Sequence, residues 1–483
     1  MVGITSYGAY IPWYRLNRKI IFEQFGWFNP GTAGVAVGEK AVANYDEDTL
    51  TMAVSAAVDC LANEDRDSLY GLFLASTSLP FAERQNSVIV SEALDLGSDI
   101  RTADFSGSIR SGTTALLSAL DGVKKKRRIL VCAGDNRMGK PGSSQEHTFG
   151  DGAVALLVGN EGVIAEFKGA YSVSRDFIDH RRTSMDKFGY GWEERWIRDE
   201  GYKNIISEAA LGLIQKYKLN VDDFAKIVIA CPVAGALKGL VKTLGANPDQ
   251  IQDNLMAEVG DTGTAMSLMM LVAALEDAKP GDKILVLSYG SGSDALFFEA
   301  TDEIQKVQKE KKGIKGYLAD RNDLTVYSKY LVFRDIIPLE VGIRGEDISP
   351  TAMSVLWREG KSISALVGSK CKACGTPQYP KQRVCVNPDC GVIDHMEDFR
   401  FSDKIGTLTS YTGDNLAFCW DPPQIYGLID FNEGGRIFLD LTDCSLDSIN
   451  VGIPVSMSFR RKYSDPQRGF FGYFWKAVPV KKE

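Results

Sequence analysis

Histidine is scarce in this chain: His147, His180 and His395 are the only three among 483 residues. A serine or cysteine nucleophile that leans on an imidazole base therefore has few places to sit. No apolar run approaches the roughly 20 residues of a membrane-spanning helix, and the N-terminus lacks a basic segment followed by an apolar one. No membrane association and a cytoplasmic location are the expectations. Excess positive charge is missing as well. A net charge of −8 argues against a general nucleic-acid binder, and the basic runs Lys124 to Arg128 and Lys306 to Lys315 read as solvated helix ends. The nine cysteines are odd in number, and four of them cluster at metal spacing instead of spreading as a disulfide framework.

What is present is enough chain for two or three domains, with 44% apolar and 24% charged residues. The stretch from Asp104 to Leu116, DFSGSIRSGTTAL, has the form of a turn that delivers the chain onto a helix. Gly107 and Gly112 allow a turn and a close approach. Ser111, Thr113 and Thr114 are the expected caps, and Ala115, Leu116, Ala119 and Leu120 form an apolar helix face. A helix start of this kind presents free N–H groups and a positive dipole end, where a thiolate or an oxyanion is stabilised. The residue at the tip is Ile109, which has no lone pair.

The first 300 residues are internally duplicated. GAY at Gly8 recurs at Gly169, LFLAS around Leu74 as IVIAC around Ile229, SGT at Thr113 as TGT at Thr264, and ILVCAGD at Leu130 as ILVLSYG at Leu285. The order is kept and the offset stays near about 155 residues. In each half a helical pattern, from Leu50 to Leu61 and from Ile205 to Tyr217, leads into a short and continuously apolar strand. Small residues crowd both helices. The expected fold class is α/β, two similar halves over 1–165 and 166–300 stacked into a layered αβαβα domain, with a connector over 301–348.

From 349 the texture changes. A short helix, Ser349 to Glu359, precedes Cys371, Cys374, Cys385 and Cys390, spaced CxxC, ten residues, then CxxxxC. Two such turns close a tetrahedral zinc site, and four thiolates leave no open coordination position, so the expected Zn²⁺ is structural, within 349–394. Short strands follow over 395–483: Ile405 to Tyr411, Ile425 to Phe431, Ile437 to Leu441, Val455 to Arg460 and Gly472 to Ala477. Their Pro, Gly, Asn and Asp punctuation predicts a five-stranded closed barrel. Barrels of this kind often bind oligonucleotides, but the acidic balance favours core packing as the use of the aromatics here, and no nucleic-acid partner is expected.

These residues carry a family resemblance. DFSGSIRSGTTAL, TFGDGAVALLVG (Thr148 to Gly159), VGDTGTAMSLMMLVAAL (Val259 to Leu275) and AKPGDKILVLSYGSGSDALFFE (Ala278 to Glu299) resemble the thiolase superfamily, closest to hydroxymethylglutaryl-CoA synthase and ketoacyl synthase III. The C-terminal third resembles the zinc-ribbon plus OB-fold accessory proteins that accompany such enzymes, here fused to the synthase-like part. In that family a cysteine attacks an acyl thioester, a glutamate is the general acid/base and a histidine steadies the thioester. By position these fall on Ile109, Thr77 and Ala230, and an asparagine of the second-half helix start falls on Asp261. The resemblance therefore implies a degenerate catalytic set, with Ser108 and Asp261 as substrate-contacting positions and Arg460, Arg461 and Lys462 as exposed groups for the phosphates of coenzyme A.

Other nucleophiles are poorly supported. Cys132 and Cys231 read as small buried thiols near strand ends, Ser106 and Ser108 have no recognisable base, His147 belongs to a loop, and Asp151 reads as a turn residue. The leading expectation is a degenerate synthase-like subunit, homo- or hetero-oligomeric, that works on an acyl-CoA substrate with an active thiolase supplying the cysteine. The alternative is an active acyl-CoA condensing or hydrolysing enzyme with non-standard residues such as Asp261 with Ser108.

Overall fold

The computed structural model describes residues 1–124, 127–342 and 350–480. The chain divides into two units: residues 1–44, 48–88 and 96–330 form the first, and 45–47, 89–95 and 331–483 the second. Among the described residues no helix is long and apolar enough to cross a membrane.

In the first unit the duplication is realised strand by strand. The first half comprises β1 (Gly3–Tyr10), α1 (Thr49–Cys60), β2 (Leu69–Ala75), β3 (Arg101–Phe105), α2 (Ser111–Gly122), β4 (Arg128–Asp135) and β5 (Gly152–Gly159). The second comprises β6 (Ala165–Ser174), α3 (Ile206–Tyr217), β7 (Lys226–Ile229), α4 (Ala234–Leu244), α5 (Met266–Asp277), β8 (Lys283–Tyr289) and β9 (Gly292–Ala300). The sheet order is β7-β8-β9-β6-β1-β5-β4-β2-β3. Each half thus repeats one pattern, a parallel pair followed by two antiparallel steps. The second-half counterpart of β3 has shrunk to a single parallel bridge, Ile227 to Ile251.

Two features go beyond the sequence reading. The halves are hydrogen-bonded into one nine-stranded sheet, although only through Gly3 with Glu166 and Ile4 with Ala165. A π-helix, Ile197–Ile205, leads into α3. The layering is as expected: α1 covers β1, β4 and β5, and α3 covers β6, β8 and β9. Between the halves lie α2 and α5, and α5 touches strands of both, which is why Met266 to Leu275 are all buried. A helix buried on every side reads as apolar all round, without an amphipathic stripe.

The repeated GAY marks the same packing twice. A Cβ on Gly8 would run into the backbone of Cys60 and Ala56 in α1, and one on Gly169 into the ring of Tyr217 in α3. The Lys306 to Lys315 run is more engaged than solvated helix ends would be, since Lys311 Nζ donates to the carbonyls of Cys60 and Ala62 at 3.0 and 2.7 Å. Of the other basic run, Lys125 and Lys126 lie outside the described residues.

The second unit holds a ribbon and a barrel. The ribbon sheet joins β10 (Val367–Cys371), β11 (Pro377–Gln378) and β12 (Met396–Arg400). The expected helix over Ser349 to Glu359 is instead two short ones, Met353–Arg358 and Gly360–Ser364, broken at Glu359. Residues 343–349, the end of the connector and the start of that helix, lie outside the described residues. The barrel comprises β13 (Gly406–Asp414), β14 (Gln424–Phe431), β15 (Arg436–Asp440), β16 (Pro454–Asp465) and β17 (Phe470–Pro479), in the order β15-β14-β13-β16-β17. A bridge from Leu441 to Ala477 brings the two edges together.

Gly8→Ala is expected to lower the stability of the first unit by about 3 kcal/mol, and Gly169→Ala by less, because a backbone obstacle cannot move aside as a ring can. Urea unfolding of the two variants checks the order.

Candidate functional site

The turn before α2 places Ile109 half-buried, packed against the apolar cluster that holds Tyr202, Cys231, Leu287 and Tyr289. Gly290 sits so close that a Cβ there would meet Ser108 Oγ, Arg110 N and Ile109 Cγ1. Capping differs from expectation. Arg110 is the N-cap residue and makes no side-chain cap, while Ser108 Oγ accepts from the Arg110 N–H at 3.2 Å. The hydroxyls of Thr113 and Thr114 donate to the Arg110 carbonyl at 3.0 and 3.3 Å, and Thr113 also reaches Asp294 at 2.7 Å. Ser108 is thus engaged with the backbone of its own turn.

Thr77 and the second-half helix start converge on one carboxylate. Asp135, fully buried at the end of β4, accepts from the Ser76 hydroxyl (2.8 Å), the Thr77 N–H (2.7 Å) and hydroxyl (3.1 Å), and the Ser78 hydroxyl (2.8 Å). It also accepts from the Thr264 N–H (2.8 Å) and hydroxyl (2.5 Å). Ala230 is buried at the end of β7, its N–H donating to the Leu287 carbonyl at 3.0 Å. Cys231 beside it is buried, with burial pushing its thiol up to about 12, and Cys132 is buried within β4. Both are packing residues, as expected.

Asp261 is buried and paired: Arg137 Nη2 lies 2.7 Å from its Oδ1, and Asp261 also accepts from the Gly263 N–H at 2.9 Å. The guanidinium carbon of Arg137 stands 4.0 Å from the Phe149 ring centroid. Burial disfavours the charge on Arg137, but Asp261 and Asp135 outweigh it and raise its pKa. Sequence reasoning missed Arg137. The only signal available was a cation shortly after a buried strand.

The remaining candidates are structural. Asp151 is fully buried and accepts from the Ala43 N–H at 2.7 Å, so it pins a neighbouring segment of the chain. His147 is buried with Nδ1 2.9 Å from the Ser143 carbonyl, and burial lowers its pKa. His180 is paired with Asp179 at 3.1 Å. The exposure expected of Arg460 is not found. It is buried in the second unit among Asp46, Glu47 (2.7 Å) and Asp443, while Arg461 is half-buried, donating to the Tyr45 carbonyl at 2.6 Å. Only Lys462 of the three is exposed, its Nζ 5.4 Å from the Phe474 ring centroid.

The four expected cysteines do come together. All sulfurs lie within 4.8 Å of one another, with Cys371 to Cys390 at 3.8 Å and Cys374 to Cys385 at 3.5 Å. A tetrahedral site with metal–sulfur bonds of ~2.3 Å requires sulfurs about 3.8 Å apart, so the set fits. Gly375 and Gly391, each directly after a cysteine, have φ of +77° and +57°, which tight knuckle turns favour.

Residues 358–392 match the ChsH2 rubredoxin-like zinc ribbon domain and residues 400–460 the ChsH2 C-terminal OB-fold domain. Over 339 residues the chain is 32% identical to the hydroxymethylglutaryl-CoA synthase of Methanopyrus kandleri, covering 68% of this chain and 96% of that protein. Over 349 residues it is 32% identical to that of Methanocaldococcus jannaschii, covering 70% and 100%. A solved HMG-CoA synthase complexed with CoA shares the fold with a TM-score of 0.63 at 21% identity, over 73% of this chain and 95% of that one. A curacin-pathway HMG synthase in complex with an acetyl donor-ACP does so with a TM-score of 0.60 at 22% identity, over 69% and 88%. The chain belongs to the hydroxymethylglutaryl-CoA synthase family and carries a zinc ribbon and an OB-fold in addition.

Arg137→Met should cost about 3–5 kcal/mol, because it leaves a buried carboxylate without its counter-ion. Adding Asp261→Asn should recover most of that loss, since the pair is then removed together. Denaturant unfolding of the four members of the cycle measures both.

Proposed function

We propose that this chain is a catalytically degenerate member of its family, acting with an active thiolase in acyl-CoA thiolysis or acyl transfer. The observation that carries the reading is Ile109: the turn and helix start that would activate a thiolate end in a branched hydrocarbon. Covalent catalysis needs an electron pair at that atom. Thr77 is spent on Asp135 and Ala230 is a methyl group, so neither the acid/base nor the imidazole function has a substitute at its own position. A change of specificity would keep the reactive groups and alter the pocket around them. Coenzyme A thioester is the proposed substrate of the complex, the thiolase supplying the nucleophile that this chain lacks.

The same geometry weakens the alternative of non-standard catalysis. Asp261 is neutralised by Arg137 and Ser108 faces its own turn, so the two do not form a base and nucleophile pair. Incubated alone with acetyl-CoA or acetoacetyl-CoA and weighed intact, the protein is expected to carry no acyl adduct, and activity is expected only in the mixture with the thiolase. A stoichiometric adduct on Ser106, Ser108 or Cys231 overturns the reading.

The ribbon is proposed to hold one structural Zn²⁺ on Cys371, Cys374, Cys385 and Cys390. When bound, the ion cross-links two knuckle turns that have little apolar core of their own. Elemental analysis is expected to give one zinc per chain and none in Cys371→Ser/Cys390→Ser; metal-free wild-type protein with four reactive thiols would refute the assignment.

A further inference from the structure

The run from Lys306 to Lys315 is anchored on the ends of two helices of the first unit. Gln308 Nε2 donates to the carbonyls of Leu275 and Ala278 at 2.8 and 2.9 Å, at the C-terminal end of α5. Lys311 Nζ does the same for the Cys60 and Ala62 carbonyls at the end of α1. The helix ends reciprocate. Asp59, in the last turn of α1, accepts from the Lys312 and Gly313 N–H groups at 3.0 Å each and from the Ala9 N–H at 3.1 Å. Glu276, in the last turn of α5, accepts from the Ile314 and Lys315 N–H groups at 2.5 and 3.3 Å. Four consecutive N–H groups at the start of the short helix Gly313–Ala319 are thus satisfied by two carboxylates. Gly313 has a φ of +55°, and a Cβ there would run into the Glu276 carboxylate, so the fit admits no side chain.

Both acids are badly placed as anions. Each stands at the negative, carbonyl end of its own helix and is partly withdrawn from water. The cations of the segment are bonded elsewhere: Lys315 to Asp277 at 2.5 Å, Lys312 to Asp320 at 2.8 Å, and Lys311 to the α1 carbonyls. Burial, and after it the charge of Asp277, push the Glu276 carboxyl up to about 7, against its two N–H bonds and Lys315. Burial raises Asp59 as well, against its three N–H bonds and Lys311. From β1, Tyr7 is buried beside them, its phenol raised by burial and then by Glu276, Asp59 and Asp277. A carboxyl raised in the closed segment and ordinary in an open, hydrated one holds its proton more tightly when closed. The stability that Glu276 lends to closure is therefore fully present below its ordinary value of 4.5 and is lost as pH rises to about 7. We propose that residues 308–320 form a proton-operated latch on the ends of α1 and α5, shut while Glu276 carries its proton and loosened when it is ionised. Release frees the start of the connector. The latch is independent of the catalytic reading and of any partner.

Amide hydrogen exchange of the full-length chain, read by mass spectrometry on peptides covering 308–320, tests it. After division by the intrinsic exchange rate at each pH, protection of this segment is expected to be about tenfold lower at pH 8 than at pH 6, with β8 unchanged. Glu276→Gln keeps an acceptor for the Ile314 N–H and never ionises, so its protection should stay at the wild-type pH 6 level at both pH values. Gly313→Ala pushes a methyl group into the carboxylate and should leave the segment unprotected at both. Equal wild-type protection at the two pH values, a fall shared by β8, a pH dependence that survives Glu276→Gln, or full protection in Gly313→Ala each overturns the proposal.

Discussion

One carboxylate ties the chemistry-bearing ends of the two halves together. Asp135 closes β4, gathers the Ser76 to Ser78 turn of the first half, and receives the N–H and hydroxyl of Thr264 from the second-half helix start. A buried carboxylate is tolerable only when its lone pairs are filled, and here they are filled from both repeats at once. The turn that carries Ile109 is held separately, by the hydroxyls of Thr113 and Thr114 on the Arg110 carbonyl, by the Arg110 N–H on Ser108 Oγ and by Thr113 on Asp294.

The duplication was readable because it rests on local signals: small residues where α1 and α3 cross β1 and β6, and glycines whose absent Cβ atoms leave room for Cys60 and Tyr217. Ile109 and the four ribbon cysteines were readable because each lies within a compact motif. Arg137 and its pairing with Asp261 were not, since a cation two residues beyond a strand means nothing until its partner, 124 residues on, is known to be buried beside it. The capping of α2 was misread for a related reason. Thr113 and Thr114 have capping chemistry, but the turn had already placed Arg110 at the cap and turned their hydroxyls back toward its carbonyl.

Arg460, Arg461 and Lys462 show how a run of like charges misleads. Three consecutive cations at a strand end look solvated, yet in β16 Ser458, Phe459 and Arg460 are all buried, and a register shift between Arg461 and Tyr463 breaks the alternation that would have put every second side chain outward. What draws Arg460 inward is acid supplied from far away in sequence. Burial alone would raise the Asp46 carboxyl, but Lys476 at 2.9 Å and Arg460 hold it below its usual range.

That ion cluster also sets an order in time. Asp46 and Arg460 are separated by 414 positions, and residues 45–47 lie between segments of the first unit while belonging to the second. On a ribosome adding about 5–20 residues per second, the acids wait roughly 20 to 80 seconds before their cations are made. Throughout that interval Asp46 and Glu47 must remain hydrated. The segment just before α1 therefore reaches its native place late, after β16 and β17 have emerged, and a nascent chain stalled anywhere in the ribbon holds more than three quarters of its length with this short stretch still unfolded.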